Sequence, residues 1–415
     1  MSEPWSVGKA ARGVGLLLVV GFLAWRALVA NLADYYANQD TTEDVVGALR
    51  WQARQPEALY QRGVELAASD PTESERLLRL SAWADPTDAL VYLALAAQWA
   101  GAGRVTVAAK LVEIADILGP WRGQALARSA AFWQAQGQQD RALALWSKLL
   151  RVRPALSEQL FPLLLQLAEA PASRALLQPM LNDPPKWWDS FFTYVAAKAI
   201  QLETVTFLYH NRNRYDDLPS ADEQRAYLNR LWQEKRWQDA YLAWLSGLDE
   251  GQIKVLGNLY NGSFEAPVTQ LGFDWRIQPS RAAKAEIVET YGTGGGKALH
   301  VTFNGERIHF QHVGQYLFLN AGHYRLQGRG RPEGLKTERG IRWRVRCVGD
   351  AGDMLAESEP FVGSDEWRNF AVDFVVPDQE CPAQLLRLEL DGRAELDFEA
   401  DGGVWFDKLA IVRLD

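Results

Sequence analysis

The chain reads as a multidomain α plus β protein: an N-terminal transmembrane helix, an α-solenoid, and a C-terminal antiparallel β-sandwich of the jelly-roll kind. Three observations predict this. The stretch from Gly13 to Ala33 is almost wholly apolar. Prolines, tryptophans and small residues recur every 34 positions in the first half. From Phe273 onward, short segments alternate with period two between Gly, Asp and Pro. The expected parts are an anchor over 1–33, a helical array over 34–250 and a sandwich over 251–415. The hand-over falls in Asn258 to Trp275, where helical spacing gives way to strand spacing.

Gly13 to Ala33 has the roughly 20 residues that cross a hydrocarbon core. Lys9 and Arg12 precede it, Arg26 interrupts it, and Tyr35 and Tyr36 follow it. Arg26 can snorkel to the far interface, where the two tyrosines form an aromatic belt. A cleaved signal peptide is the rival, but no Ala-x-Ala pattern follows the apolar run. With Lys9 and Arg12 held inside, the expectation is a single-pass protein of a bacterial inner membrane with its bulk in the periplasm.

Hydrophobic content of 48% and charged content of 23% are globular values. A formal net charge of -8 offers no basic excess for nucleic acid. The 17 tryptophans suit packing, but also partner or sugar surfaces. The two cysteines, Cys347 and Cys381, have no Cys-x-x-Cys or Cys/His company, so zinc is not expected. In an oxidising compartment they form a disulfide; two buried thiols are the alternative.

Pro86, Pro120 and Pro154 stand 34 residues apart, and Trp99/Trp133, Gly103/Gly137, Ala108/Ala142 and Leu111/Leu145 share the spacing. Two helices per 34 residues is the tetratricopeptide signature. Tyr92, Leu95, Ala96 and Trp99 make one stripe of a first helix. Gly101 and Gly103 break the chain, Ala108 allows a close helix crossing, and Pro120 ends the unit. After Pro154 the period decays, though helices remain legible over 161–168, 172–181, 187–209, 222–232 and 239–248. Such an array offers a groove to a protein partner; a plain spacer is the alternative.

Ten short strands are expected between 274 and 413, which suits a jelly roll. Asn261-Gly-Ser-Phe-Glu265, Gly296-Lys-Ala-Leu-His-Val301 and Trp405-Phe-Asp-Lys-Leu409 resemble motifs in carbohydrate-binding modules of the CBM4/9/22 kind. The whole chain resembles membrane-anchored tetratricopeptide proteins of exopolysaccharide biosynthesis clusters. The module resemblance implies a structural Ca²⁺ at Glu265 and Asp407, with hydrogen bonding at a strand junction as the alternative.

Alternation places Arg325, Gln327, Arg329 and Arg331 on one face of a strand, and Arg342, Arg344 and Arg346 on one face of another. If the strands share a sheet, they form a basic plate for carboxylate or sulfate on a polysaccharide. The alternative is a solvated face of ion pairs, for which Asp373, Arg387 and Glu389 are candidates. Trp343 and Cys347 fall on the core face.

No catalytic constellation emerges. Gly292 to Lys297 lacks the first glycine and the Ser/Thr of a phosphate loop. His309 and His312 face opposite sides of an expected strand. Asp397 and Glu399 share an expected strand face at a separation open to a glycosidase, but read more simply as solvated acids. The expectation is a non-enzymatic accessory protein of exopolysaccharide synthesis or export that binds a protein partner and a polysaccharide. A purely protein-binding scaffold is the alternative, and a glycan-modifying enzyme a further one.

Overall fold

The computed structural model describes residues 7–39, 41–212, 219–293, 296–349 and 352–414. The side chains of Lys9 and Arg12, on which the expected orientation rests, lie outside this description, as do Gly294 and Gly295 of the glycine-rich turn. The chain divides into two compact units, Met1–Trp188 and Asp189–Asp415.

The first unit opens with α1 (Val7–Ala37), whose Val14–Ala37 portion is long and apolar enough to cross a membrane. The helices that follow are α2 (Thr42–Trp51), α3 (Pro56–Leu66), α4 (Pro71–Ala84), α5 (Ala89–Gly101), α6 (Val105–Leu118), α7 (Gly123–Ala135), α8 (Gln139–Val152) and α9 (Ser157–Glu169). Short turns make neighbours antiparallel. Pro56 and Pro71 sit in first turns, and the Asp70 carboxylate accepts from Glu73 N at 3.0 Å. Gly103 and Gly137, at φ 77° and 71°, turn the chain left-handed after α5 and α7, a conformation that suits only glycine cheaply. Ala108 and Ala142 are fully buried, as close helix crossings require. The 34-residue pattern is therefore a real structural period. Where it decays, the chain breaks into the short α10 (Pro171–Arg174) and α11 (Gln178–Asn182).

The aromatic region 187–209, which begins in the last two residues of the first unit and continues in the second, is two helices, α12 (Trp188–Lys198) and α13 (Leu202–His210). A hairpin of α14 (Ala221–Gln233) and α15 (Trp237–Ser246) follows, then the short α16 (Glu250–Ile253). Ser220 and Glu223 close a capping box on α14. This hairpin interlocks with the sandwich. Trp244 meets Tyr260 at 5.1 Å and Phe273 at 5.6 Å, Tyr241 stacks on Phe318 at 5.2 Å, and Trp232 and Trp237 flank Tyr316 at 5.3 and 5.7 Å.

The sandwich strands are β1 (Arg276–Ile277), β2 (Ala283–Glu289), β3 (Lys297–Arg307), β4 (Val313–Leu317), β5 (Gly322–Lys336), β6 (Ile341–Cys347), β7 (Met354–Glu357), β8 (Arg368–Val376), β9 (Gln384–Leu390) and β10 (Glu399–Arg413). They form two antiparallel five-stranded sheets, β1-β4-β9-β6-β7 and β2-β3-β10-β5-β8. Trp275, Trp343, Phe264, Phe361 and Phe406 fill the space between them and are fully buried. Of the strand expected from Ile308 to Val313, residues 308–312 are irregular and β4 begins only at Val313, so His309 and His312 do not belong to a strand. Asp397 belongs to a 3-10 turn, Glu395–Phe398, where it accepts from Arg393 N and Ala394 N; it does not share a strand face with Glu399.

The hand-over stretch is stitched to the end of the chain. Leu409 N donates to Gly262 O at 2.9 Å, and Asn258 Nδ2 to Ile411 O at 3.1 Å. Gly262 is needed there, because an added Cβ would fall 1.8 Å from Leu409 O. A disulfide joins Cys347, at the end of β6, to Cys381, just before β9.

Candidate functional site

The six residues proposed for one basic plate do not share a sheet. Arg325, Gln327 and Arg329 lie on β5, in the sheet centred on β10, whereas Arg342, Arg344 and Arg346 lie on β6, in the sheet centred on β9. Alternation orients side chains within a strand but says nothing about which strands pair, and the chain changes sheets between β5 and β6.

The β6 arginines are held by acids. Arg344 donates to Glu357 at 2.7 Å, Glu389 at 3.0 Å and Asp391 at 2.9 Å. Arg342 lies 3.3 Å from both Glu357 and Asp391, and Arg346 3.4 Å from Glu389. Burial would weaken the Arg344 cation, but bonds to Glu389, Glu357 and Asp391 overcome this and hold its pKa above the usual value. The same bonds, from Arg344 and Arg387, hold the Glu389 carboxyl below its usual range despite burial. This face is a cross-strand ion-pair network. On β5, Arg325 is likewise bidentate to Asp373, at 2.6 and 2.9 Å, and Gln327 is exposed.

The outer face of the β2-β3-β10-β5-β8 sheet carries a different constellation. Opposite residues of an antiparallel pair point to the same face. Trp405 on β10 is opposite His300 on β3 and Arg331 on β5, and His300 is opposite Glu286 on β2. Neighbours in sequence, Val404 and Phe406, point into the core. The His300 ring stacks on Trp405 at 3.7 Å, and Trp405 Nε1 donates to Glu333 Oε2 at 2.6 Å. The Arg331 guanidinium lies among three rings, 4.2 Å from Tyr291, 5.1 Å from Trp405 and 5.6 Å from Trp367. Arg331 is 5% exposed, donates to the Tyr291 hydroxyl and, at 3.4 Å, to Thr290 Oγ1, and its Nε has no hydrogen-bond partner among the described residues. Arg329 lies 4.9 Å from the Trp367 ring and donates to Gly292 O at 3.1 Å.

The turn after β2 brings Tyr291 over this face. Trp367 Nε1 donates to Tyr291 O at 3.0 Å, and Gly292, at φ 78°, passes so near the indole that a Cβ would fall 2.7 Å from it. Tyr291 itself is 61% exposed. Burial lowers the His300 pKa, so the ring is neutral near pH 7 and both its nitrogens are usable as donor and acceptor. The face thus combines exposed ring surface with Glu333, His300 and Arg329 at its fringe. That arrangement can pack on the apolar face of a sugar ring and hydrogen-bond its hydroxyls.

The sequence pattern singles out Arg329 and Arg331 but not Tyr291 or Trp367. Trp405 was noticed only as part of a motif. The usable signal was that Trp405 and Asp407 share a face of the last strand; which strand brought them Arg331 and Arg329 was not legible.

Asp407 is opposite Arg329 on the same sheet. Its carboxylate is buried, and its one hydrogen bond among the described residues comes from Lys408 N. Burial raises its pKa, and the nearby Glu265 carboxylate adds to the rise. Glu265 accepts from Lys297 N at 3.1 Å. Two neighbouring carboxylates, one buried and under-bonded, are a hard-oxygen pair of the kind Ca²⁺ takes. Among the described residues no third His, Cys, Asp or Glu joins them, so other donors would be carbonyl oxygens or water.

The first unit has a second surface, an apolar groove of about 890 Å³ lined by Leu78, Leu93, Ala97, Val112, Arg128 and Phe132 among others. Arg128 Nη1 donates to the Tyr60 hydroxyl at 2.6 Å beside it.

No protein-family model matches the chain, and none of the curated proteins matches it. Among solved structures, it is similar to a CBM4 module at 14% identity, over 37% of this chain and 99% of that one, with a TM-score of 0.29. It is similar to the CBM22-1 xylan-binding domain of Paenibacillus barcinonensis Xyn10C at 16% identity, over 37% and 92%, with a TM-score of 0.25. It is similar to TmCBM61, solved with β-1,4-galactotriose, at 19% identity, over 38% and 99%, with a TM-score of 0.27.

Proposed function

We propose that this is a non-enzymatic, membrane-anchored accessory protein of exopolysaccharide synthesis or export, placed in a bacterial inner membrane with its bulk in the periplasm. The sandwich binds the polysaccharide on the face bearing Tyr291, Trp367, Trp405 and Arg331. The helical array, tetratricopeptide in kind, takes an extended or helical segment of an envelope protein into its apolar groove. The observation that carries the glycan reading is the Arg331 cluster: a guanidinium among aromatic rings with no carboxylate partner among the described residues, on a sheet face where Arg325 is paired with Asp373 and Arg329 lies beside Trp367. Arg329, partly exposed at the fringe, favours a polymer with carboxylate or sulfate groups, while the buried Arg331 holds the rings beside it.

Affinity electrophoresis of the full detergent-solubilised chain through acidic and neutral polysaccharides tests this. Retardation by an acidic polymer, weakened by salt, is expected. Tyr291→Ala, at an exposed ring, should weaken it by about tenfold, or about 1.4 kcal/mol, without unfolding the chain. Absence of retardation by every polymer would favour a scaffold whose sandwich binds protein only.

Glu265 and Asp407 are further proposed to hold a structural Ca²⁺ that neutralises their mutual repulsion. Ca²⁺ at about a hundredfold excess over its Kd should then stabilise the second unit by about 2.7 kcal/mol in calorimetry. Asp407→Asn should remove that response. In chelator it should instead raise the melting temperature. The raised Asp407 pKa means the folded state holds an extra proton, so stability falls as pH rises from the ordinary carboxylate range through the folded value, and stays lower above it. An unchanged response to Ca²⁺ in Asp407→Asn would argue against the site.

A further inference from the structure

The first unit presents two edges of turns, and their chemistry differs. Antiparallel helices put the turns at 52–55, 85–88 and 119–122 on one edge, and those at 67–70, 102–104 and 136–138 on the other. The first edge carries exposed apolar rings and chains: Trp51 is 42% exposed, Trp83 69%, Ile117 78% and Trp121 53%. Arginines lie over two of them, with Arg54 at 4.9 Å from the Trp83 ring and Arg151 at 5.9 Å from that of Trp121. The turns of the second edge have no aromatic residue. The tryptophans nearest to it, Trp99 and Trp133, are covered by Arg104 and Arg141.

The position of α1 says what faces the first edge. From Val14 to Leu28 its large apolar side chains are exposed; Val29, Ala33 and Ala37 are then buried. The last turns of α1 pack against α2 and α3, where Ala37, Val45, Ala48 and Ala58 form a small core. Gln55, in the first turn of the tryptophan-bearing edge, donates to Asp34 on α1 at 3.2 Å. That edge is therefore level with Asp34, about 9 Å beyond Leu28 along the helix axis, which is the depth of the headgroup layer to within a few Å. Because α1 is continuous and packed, the array cannot swing away from the bilayer as it would on a flexible tether.

We propose that the Trp51, Trp83 and Trp121 edge rests in the headgroup layer of the membrane that α1 crosses, with Arg54 and Arg151 toward lipid phosphates; this rests on the reading of α1 as an uncleaved anchor. Indole rings favour this interface for their amphipathic character, and guanidinium groups for their charge. Of the acids near this edge, Asp88 is paired with Arg122, Glu57 is half-buried and Asp85, hydrogen-bonded by Thr87, stays charged, so it is Arg54 and Arg151, over the indoles, that meet lipid phosphate. The consequence is a fixed posture in which the opposite edge faces away from the bilayer.

The full chain, reconstituted in vesicles of phosphatidylethanolamine and phosphatidylglycerol, tests this with an environment-sensitive fluorophore at Ala53→Cys, Thr87→Cys or Gln136→Cys, the native disulfide being left oxidised. Headgroup-labelled nitroxide lipid should at least halve the emission at 53 and 87 relative to 136. Changing the exposed Trp51 and Trp83 to serine should reduce that quenching. If the chain resists carbonate extraction but 53 and 87 quench no more than 136, the proposal is overturned while the anchor reading stands. Shielding from water without quenching would mean that protein covers the edge, and also overturns it. Release of the chain by carbonate defeats the anchor reading and takes the proposal with it.

Discussion

Truncating Trp244 to alanine is expected to cost the second unit about 3–5 kcal/mol, the range for a buried tryptophan. Trp244 is 2% exposed and joins α15 to the sandwich through Tyr260 and Phe273. Gly272 confirms how close the approach is, since a Cβ there would fall 2.3 Å from the indole. The loss should appear in denaturant unfolding of the full chain as a lower midpoint, with hydrogen exchange accelerating in both α15 and β4. Acceleration in α15 alone would show that the hairpin and the sandwich are energetically separate, contrary to the interlock described above.

Reduction of the Cys347–Cys381 disulfide should lower the stability of the same unit by about 4 kcal/mol, from the chain entropy released when the cross-link is removed. The sequence separation of 34 residues sets that magnitude. The segment it closes contains β7 and β8, so both sheets are affected. Calorimetry with and without reductant, checked against a Cys347→Ala/Cys381→Ala variant, measures it. Two free thiols in the unfolded, unreduced protein would refute the cross-link itself.

The two effects bear on function through the same elements. The glycan face depends on β10 holding Trp405 between β3 and β5, and β10 is also the strand to which the hand-over stretch is stitched at Leu409 and Ile411. Loss of sandwich stability therefore removes the binding face with it, which is why the exposed Tyr291, and not Trp405, is the informative substitution for binding.

Much of the architecture was legible from residue spacing. The 34-residue recurrence of Pro, Gly and Ala marks helix ends, left-handed turns and close crossings, all of which are local requirements of the backbone. Alternation along β6 correctly separated Trp343, Val345 and Cys347, which are buried, from the arginines between them. The break in 187–209 was not legible, because apolar residues continue through it at helical spacing, at Val195, Ala199, Leu202 and Val205, and no Pro or Gly marks it. The strand expected over 308–313 failed before Val313 for a related reason: Ile308 and Phe310 are buried from an irregular segment, where Ile308 N donates to Phe398 O.

The sequence by itself determined the order of parts, an apolar N-terminal helix, a periodic helical array and a two-sheet sandwich, because each is written in spacing between near neighbours. Only the tertiary structure decided which distant residues share a surface. It sent β5 and β6 to different sheets and so dissolved the basic plate. It gave Arg342, Arg344 and Arg346 to Glu357, Glu389 and Asp391, and Arg331 to Tyr291, Trp367 and Trp405. Strand pairing depends on turn geometry and on core packing far along the chain, and neither is expressed in the alternation of one strand.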